Sequence, residues 1–223
     1  MLKPKKLIIN ISEEIGTVSS LLVLPEDASA LLVLSHGAGA GMEHTFMETL
    51  AHELAAYKIG TLRFNFAYME KGNRAPDRPK KAHPVIRAAV KKALKYADGL
   101  TLLAGGKSFG GRMTSQVAAN GELEEVKGIV YYGFPLHAPG KPGTERAAHL
   151  SDIKVPQLFL QGTRDTLARL DLMKEVTDKL EKAQLAILEG GDHSFKTLKR
   201  SGITHKDMVK RLAEETAGFA AKL

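Results

Sequence analysis

The sequence contains no cysteine. Disulfides, thiolate metal sites and a cysteine nucleophile are thereby excluded. A cysteine-free chain also fits a reducing, cytoplasmic setting. Long apolar runs are missing too: the longest span about six residues, as in "ASALLVLS", against the ~20 needed to cross a bilayer. The basic opening "MLKPKKLIINIS" lacks the apolar core of a signal peptide, so neither export nor membrane insertion is expected. There is no internal repeat and no low-complexity tract. No histidine or carboxylate spacing suits a metal ion, and neither a metal nor an organic cofactor is expected.

What is present suits one domain over residues 1–223. A chain of 223 residues that is 43% hydrophobic can bury a sizeable core. The net charge of +7 is local rather than general. Lys71–Lys95 holds nine Lys/Arg against one acid, a charge of +8, while the rest of the chain comes to −1. A solvated loop and helix face is the first reading of that stretch. Steering of an anionic substrate, an acidic protein partner and nucleic acid are the others. Nucleic acid is the weakest of these, because no aromatics are interleaved with the charges.

Short β-rich runs alternate with helical patterns. Leu7–Ile11 and Val18–Leu24 read as a hairpin around "SEEIG". Further strands are expected at Leu31–Ser35, Thr61–Phe66, Leu100–Ala104, Val126–Tyr132, Gln157–Gln161 and Leu185–Leu188. Helices are expected at His44–Lys58, from Pro84 onward, and at Met113–Asn120, Asp171–Leu180 and Met208–Ala221. A polar loop is expected from the fourth strand to about Ala82. A hairpin followed by βα repeats predicts an α/β fold: a mostly parallel central sheet with helices on both faces. The stretch between the sixth and seventh strands, Gly133–Pro156, is too short for a large cap domain.

In such sheets, sites gather at the C-terminal ends of strands. Those ends carry "HGAGAG", "GGKSFGG", "GTRD" and "EGGDHSF". One serine, one aspartate and one histidine therefore meet at one edge, in the order Ser108, Asp165, His193. A hydroxyl is a weak nucleophile at neutral pH. It needs a base, and the base is best oriented by a carboxylate. The segment Gly106–Lys107–Ser108–Phe109–Gly110 has the G-x-S-x-G form of a strand–turn–helix nucleophile elbow, where only small neighbours fit. The amide of Phe109 is the first expected oxyanion donor. Ala38 supplies the second, with Gly39 close behind. Asp171 and Asp192 remain alternative acids, since "GTRDT" can equally cap a helix. His36 reads as a pin for the oxyanion loop. His44, His52, His83, His137, His149 and His205 read as surface or packing residues.

With these residues assembled, the chain resembles the α/β-hydrolase superfamily, and within it a small dienelactone-hydrolase-like group. That group includes testis-expressed hydrolase-like proteins and the hydrolase part of a regulatory subunit of a histone-acetylation complex. The resemblance is carried by "LSHGAGAGMEH", "RFNFAYMEKGNRAPDRP", "GGKSFGGRM", "YGFPLHAPGKP", "LFLQGTRD" and "GGDHSF". It implies a single-domain α/β-hydrolase fold with Ser108 as nucleophile, Asp165 as acid and His193 as base. Dienelactone hydrolases use a cysteine nucleophile, which this chain lacks. The expected reaction is hydrolysis of an ester, thioester or related acyl bond in a small-molecule substrate. The alternative is a non-catalytic protein-interaction module that keeps the fold. Asn65, at a strand end, and Lys107, beside the nucleophile, are possible substrate-binding residues. Arg63, Arg74 and Arg78 are grouped with Asn65 as contacts for an anionic group. "FPLHAPGKPG" reads as a short structured loop at the mouth of the site.

Overall fold

The computed structural model describes residues 2–223. Its sheet has eight strands: Lys5–Ser12 (β1), Gly16–Val23 (β2), Ala30–Ser35 (β3), Ile59–Phe64 (β4), Thr101–Lys107 (β5), Gly128–Tyr132 (β6), Gln157–Gly162 (β7) and Ala183–Leu188 (β8). Their spatial order is β1-β2-β4-β3-β5-β6-β7-β8. The β1–β2 and β2–β4 pairs are antiparallel, and β3 to β8 run parallel. The helices are Thr45–Ala56 (α1), Ala67–Glu70 (α2), Pro79–Ala93 (α3), Phe109–Ala119 (α4), Leu170–Asp178 (α5) and His205–Ala220 (α6).

Side chains alternate across a strand. The central strands are apolar at most positions and buried along nearly their whole length, so alternation gives them two buried faces. Leu31, Val33, Leu102, Ala104, Ile129, Tyr131 and Phe159 point to the layer of α3 and α4. Leu32, Leu34, Leu103, Val130, Tyr132 and Leu158 point to the layer of α1 and α6. The chain leaves β3 in one direction to build β4, then returns past β3 to build β5. The reversal opens a crevice at the C-terminal ends of β3 and β5, where open α/β sheets bind ligands. "HGAGAG" and Ser108 both stand at that crevice.

Several boundaries differ from expectation. The helix expected at Pro84 begins at Pro79, and Pro84 lies inside it. Pro79 takes the first helical position, where a missing N–H costs nothing. Ala82 extends the apolar face back by one turn and is fully buried. The expected polar loop before it contains α2. β4 ends at Phe64, so Asn65 lies one residue beyond it. β6 starts two residues late, at Gly128. β5 continues through Gly105 and Gly106 to Lys107, and α4 starts at once at Phe109. Those glycines read as loop in the sequence. They are strand residues where neighbouring backbone leaves no room for a side chain. Gly133–Pro156 contains two 3₁₀ turns, Glu145–Ala147 and Leu150–Asp152. Among the described residues no helix is long and apolar enough to cross a membrane.

Leu103 is fully buried in the α1/α6 layer. Leu103→Ala is expected to cost about 2–5 kcal/mol, by lost burial and the cavity left behind. Urea unfolding of wild type and variant measures it; a loss below about 1 kcal/mol contradicts tight packing there.

Candidate active site

Ser108 sits between the last residue of β5 and the first of α4 with φ 49° and ψ −114°. A non-glycine residue there is strained by about 1–3 kcal/mol and must be held by its surroundings. The Ser108 N–H donates to Tyr132 O at 3.2 Å, and its carbonyl accepts from Arg112 N–H at 3.0 Å. Gly106 and Gly110 bring β5 and α4 against β3. A Cβ on Gly106 would strike the side chain and carbonyl of Ser35. On Gly110 it would stand 2.5 Å from His36 O and 2.7 Å from Ser35 O. Ser35 Oγ, buried in this junction, donates to Gly105 O at 2.6 Å and meets Thr114 Oγ1 at 3.2 Å.

The elbow aims Ser108 Oγ at His193 Nε2, 2.8 Å away. His193 Nδ1 donates to Asp165 Oδ2 at 2.8 Å. Asp165 is buried at the end of β7. Its Oδ1 accepts from Leu167 N–H at 2.7 Å, and Oδ2 also accepts from Gln161 Nε2 at 2.8 Å. Burial alone would raise the Asp165 carboxyl. The hydrogen bond and charge of His193, with the bonds from Leu167 and Gln161, hold it below its ordinary value. The other two aspartates are engaged elsewhere. Asp171 pairs with Arg169. Asp192 Oδ1 accepts from the amides of Ser194 and Lys196, both at 2.8 Å, shaping the turn that presents His193. Phe195 anchors that turn: it is fully buried, has φ 58° and stacks on Phe46 at 6.0 Å.

The loop after β3 is pinned from below. His36 Nε2 accepts from Phe66 N–H at 3.1 Å, and Nδ1 donates to Gly37 O at 2.8 Å. Burial lowers the His36 pKa to about 4, partly opposed by the bond to Gly37 O. The imidazole is therefore neutral, as an acceptor at Nε2 must be. Tyr68 Oη accepts from Gly39 N–H at 3.3 Å, so that amide is occupied. Neither Ala38 N–H nor Phe109 N–H has an acceptor among the described residues. The Phe109 ring packs edge-on to Phe66 at 5.2 Å and to Tyr68 at 6.5 Å.

Ser108 and His193 open into a cleft of about 640 Å³, walled by Ala38, Phe46, Met47 and Leu167 with His44 and His205 at its edge. A hollow of about 220 Å³ among Lys154, Lys179 and Lys182 lies at the opposite, N-terminal ends of β7 and β8.

One expected substrate contact, Asn65, is not among the residues lining the cleft. Asn65 Oδ1 accepts from Met42 N–H at 2.8 Å, and its Nδ2 donates to Glu70 Oε1 at 2.9 Å, so its amide braces the loops behind the cleft. Lys107 lines the cleft beside Ser108, with its Nζ buried and without a hydrogen-bond partner. Arg63 is also buried and donates to Met42 O at 2.9 Å. A strand residue paired on both sides cannot swing its guanidinium out to an anion.

Residues 28–221 match a family model described as an alpha/beta hydrolase domain. The chain belongs to the alpha/beta-hydrolase family. Its fold is shared with an alpha-beta serine hydrolase homologue from Coxiella burnetii: TM-score 0.75, 19% identity, 98% of each chain covered. It is shared too with a serine hydrolase without lid from Xanthomonas campestris: TM-score 0.74, 20% identity, covering 98% of this chain and 95% of that one. The dienelactone hydrolase of Anabaena variabilis aligns with TM-score 0.74 at 17% identity, covering 97% and 96%.

Within this alpha/beta hydrolase, sequence reasoning missed the supports of the site. Gln161, Leu167, Tyr68, Ser35 and Phe195 carry no motif of their own. Tyr68 and Phe66 lie in "FNFAY", whose aromatic spacing after a strand was the available signal. His44 and His205 face the cleft, where packing or surface roles were expected.

Two predictions test this scaffold. Gly110→Ala forces backbone apart, so a loss of about 1–3 kcal/mol of stability, with loss of Ser108 reactivity, is expected in unfolding and labelling assays. His36 tests the electrostatics. Its folded pKa lies below the unfolded value, so unfolding takes up a proton between pH 6.5 and about 4. This contribution is complete above pH 6.5 and falls by up to about 1.4 kcal/mol per unit as pH drops through that window. Urea titrations should show a steeper decline for wild type than for His36→Gln; parallel declines contradict the assignment.

Proposed function

We propose that the protein is a serine hydrolase that cleaves small ester, thioester or related acyl substrates through an acyl-enzyme. The observation that carries this reading is the unbroken Ser108–His193–Asp165 relay, two contacts of 2.8 Å, ending on a serine in a left-handed backbone conformation. A serine held at that cost and bonded to a bare imidazole nitrogen is suited to nucleophilic attack.

Ser108 Oγ attacks the carbonyl carbon while its proton passes to His193 Nε2. The tetrahedral oxyanion is received by the free amides of Phe109 and Ala38, and loss of one such donor typically costs about 10²–10³ in rate. Asp165 fixes the tautomer and stabilises the imidazolium, remaining ionised itself. His193 then gives the proton to the leaving group as the tetrahedral species collapses to the acyl-enzyme. Water, deprotonated by the same imidazole, releases the acid and restores Ser108. The cycle draws on side chains, backbone amides and water.

The open cleft and the short Gly133–Pro156 excursion support small substrates, or one end of a longer one. The absence of cysteine supports work in a reducing, cytoplasmic compartment.

A fluorophosphonate probe at pH 7–8 should label wild type, with labelling abolished in Ser108→Ala and His193→Ala. Asp165→Asn should retain the fold while lowering turnover of an activated ester about 10⁴-fold. No labelling of folded wild type overturns the proposal.

A further inference from the structure

Lys107 is the residue between the two motif positions Gly106 and Ser108, and its amine is in an unusual place. Nζ is buried and has no hydrogen-bond partner. It lies 5.5 Å from the centroid of the Phe195 ring, within cation–π range. Gly133 lies beside it. A Cβ on Gly133, already at φ 71°, would stand 3.2 Å from Lys107 Nζ, 3.5 Å from His193 O and 3.6 Å from Asp165 Oδ2. The amine and the triad carboxylate thus share one small corner without touching as an ion pair. A Cβ on Gly37 would stand 3.5 Å from Lys107 Cγ, so the loop after β3 passes close to the stem.

We propose that Lys107 is a positioning residue for the relay: its buried ammonium faces the Asp165–His193 pair and sets the pH range in which His193 is free to act as base. This rests on the hydrolase reading above.

A methionine of similar length would fill the same space without the cost of burying an unpaired amine. What the amine adds is charge beside a working pair. Asp165 and Asp192 are the two acids that act on it, from the loops after β7 and β8. Tyr132, the β6 partner of Lys107, and His193 are further titratable groups on this side; the Tyr132 hydroxyl is engaged with Thr216 Oγ1 at 2.9 Å. His44, His205 and Lys196 stand at the cleft edge beyond. Burial draws the amine down to about 8, against the pull of the two aspartates. Below that pH it is charged and offsets part of the Asp165 field. That charge opposes a second positive charge on the imidazole. Remove the charge, and the imidazolium gains the whole field of Asp165.

The sign follows directly. The acid limb of the rate profile should move to higher pH when Lys107 is made neutral. One charge acting over several ångströms at an effective dielectric of about 20–40 is worth roughly one pH unit. A charged replacement should leave the limb in place.

The experiment follows the second-order rate of fluorophosphonate labelling from pH 5 to 9 for wild type, Lys107→Met and Lys107→Arg. Each protein's fold is checked by circular dichroism. The probe reports the free enzyme and needs no known substrate. Lys107→Met should show the acid limb raised by about one unit, and Lys107→Arg should keep the wild-type limb. Should Lys107→Met fail to fold, the neutral but polar Lys107→Gln carries the same expectation. A neutral variant that labels with the limb unmoved, whatever its overall rate, overturns the proposal and leaves Lys107 a packing residue. Wild type that never labels overturns the hydrolase reading, and this proposal with it.

Discussion

The backbone of Ser108 can be left-handed only because β3, β5 and α4 meet with almost nothing between them. Gly106 and Gly110 lie against Ser35 and His36 so closely that a single methyl would part them. Ser35 and Thr114 tie the three elements inside that contact. Nearly every feature of the site follows from this junction. It releases the chain from β5 directly into α4, which leaves the Phe109 amide free at the helix start. It points Oγ towards the loop after β8 rather than into the sheet. It also sends the preceding side chain, Lys107, to the α1/α6 face, where Phe195 and Gly133 receive it.

A second set of contacts joins the loop after β3 to the turn at Ser108. His36, Phe66, Tyr68 and Phe109 form an aromatic cluster, with edge-on pairs His36–Phe66 at 5.0 Å and Phe66–Phe109 at 5.2 Å. Edge-to-face pairs at such distances add about 0.5–1.5 kcal/mol each beyond area burial. Their greater effect is geometric. The Ala38 and Phe109 amides belong to different strand ends, and this cluster is what holds those ends in fixed relation. The neutral state of His36 is part of the arrangement. A protonated ring could not accept from Phe66 N–H, and its charge would be buried without a partner.

Much of this was legible in the residues. Alternation in "ALLVLS" and "GIVYY" marks strands buried on both faces, and two-layer packing follows from it. Ser108, Asp165 and His193 were each marked by a residue type at a strand end, and the structure joins them in one chain of hydrogen bonds. What was not legible depended on contact rather than pattern. "GG" after "LLA" reads as loop by composition, and only the backbone of β3 and β6 explains why glycine belongs inside β5. Pro84 reads as a helix start because Pro79 sits among charged residues that hide the first turn. Asn65 and Arg63 stand at plausible positions for binding, yet Asn65 bonds to Met42 and Glu70, and the buried Arg63 donates to Met42 O. Lys107 carries no sign in the sequence that its amine turns inward.

The distribution of charge separates two roles that the composition runs together. The +8 stretch lies on the loop after β4 and on α3, which covers the face opposite α1 and α6. The cleft opens on the α1/α6 side, through His44, Phe46 and His205. The basic helix thus lies across the sheet from the cleft. The charged groups beside the Ser108–His193 contact are a carboxylate behind the imidazole and the buried Lys107 amine. The lining of the cleft includes no aspartate or glutamate. Asp165 meets Ser108 only through the His193 imidazole.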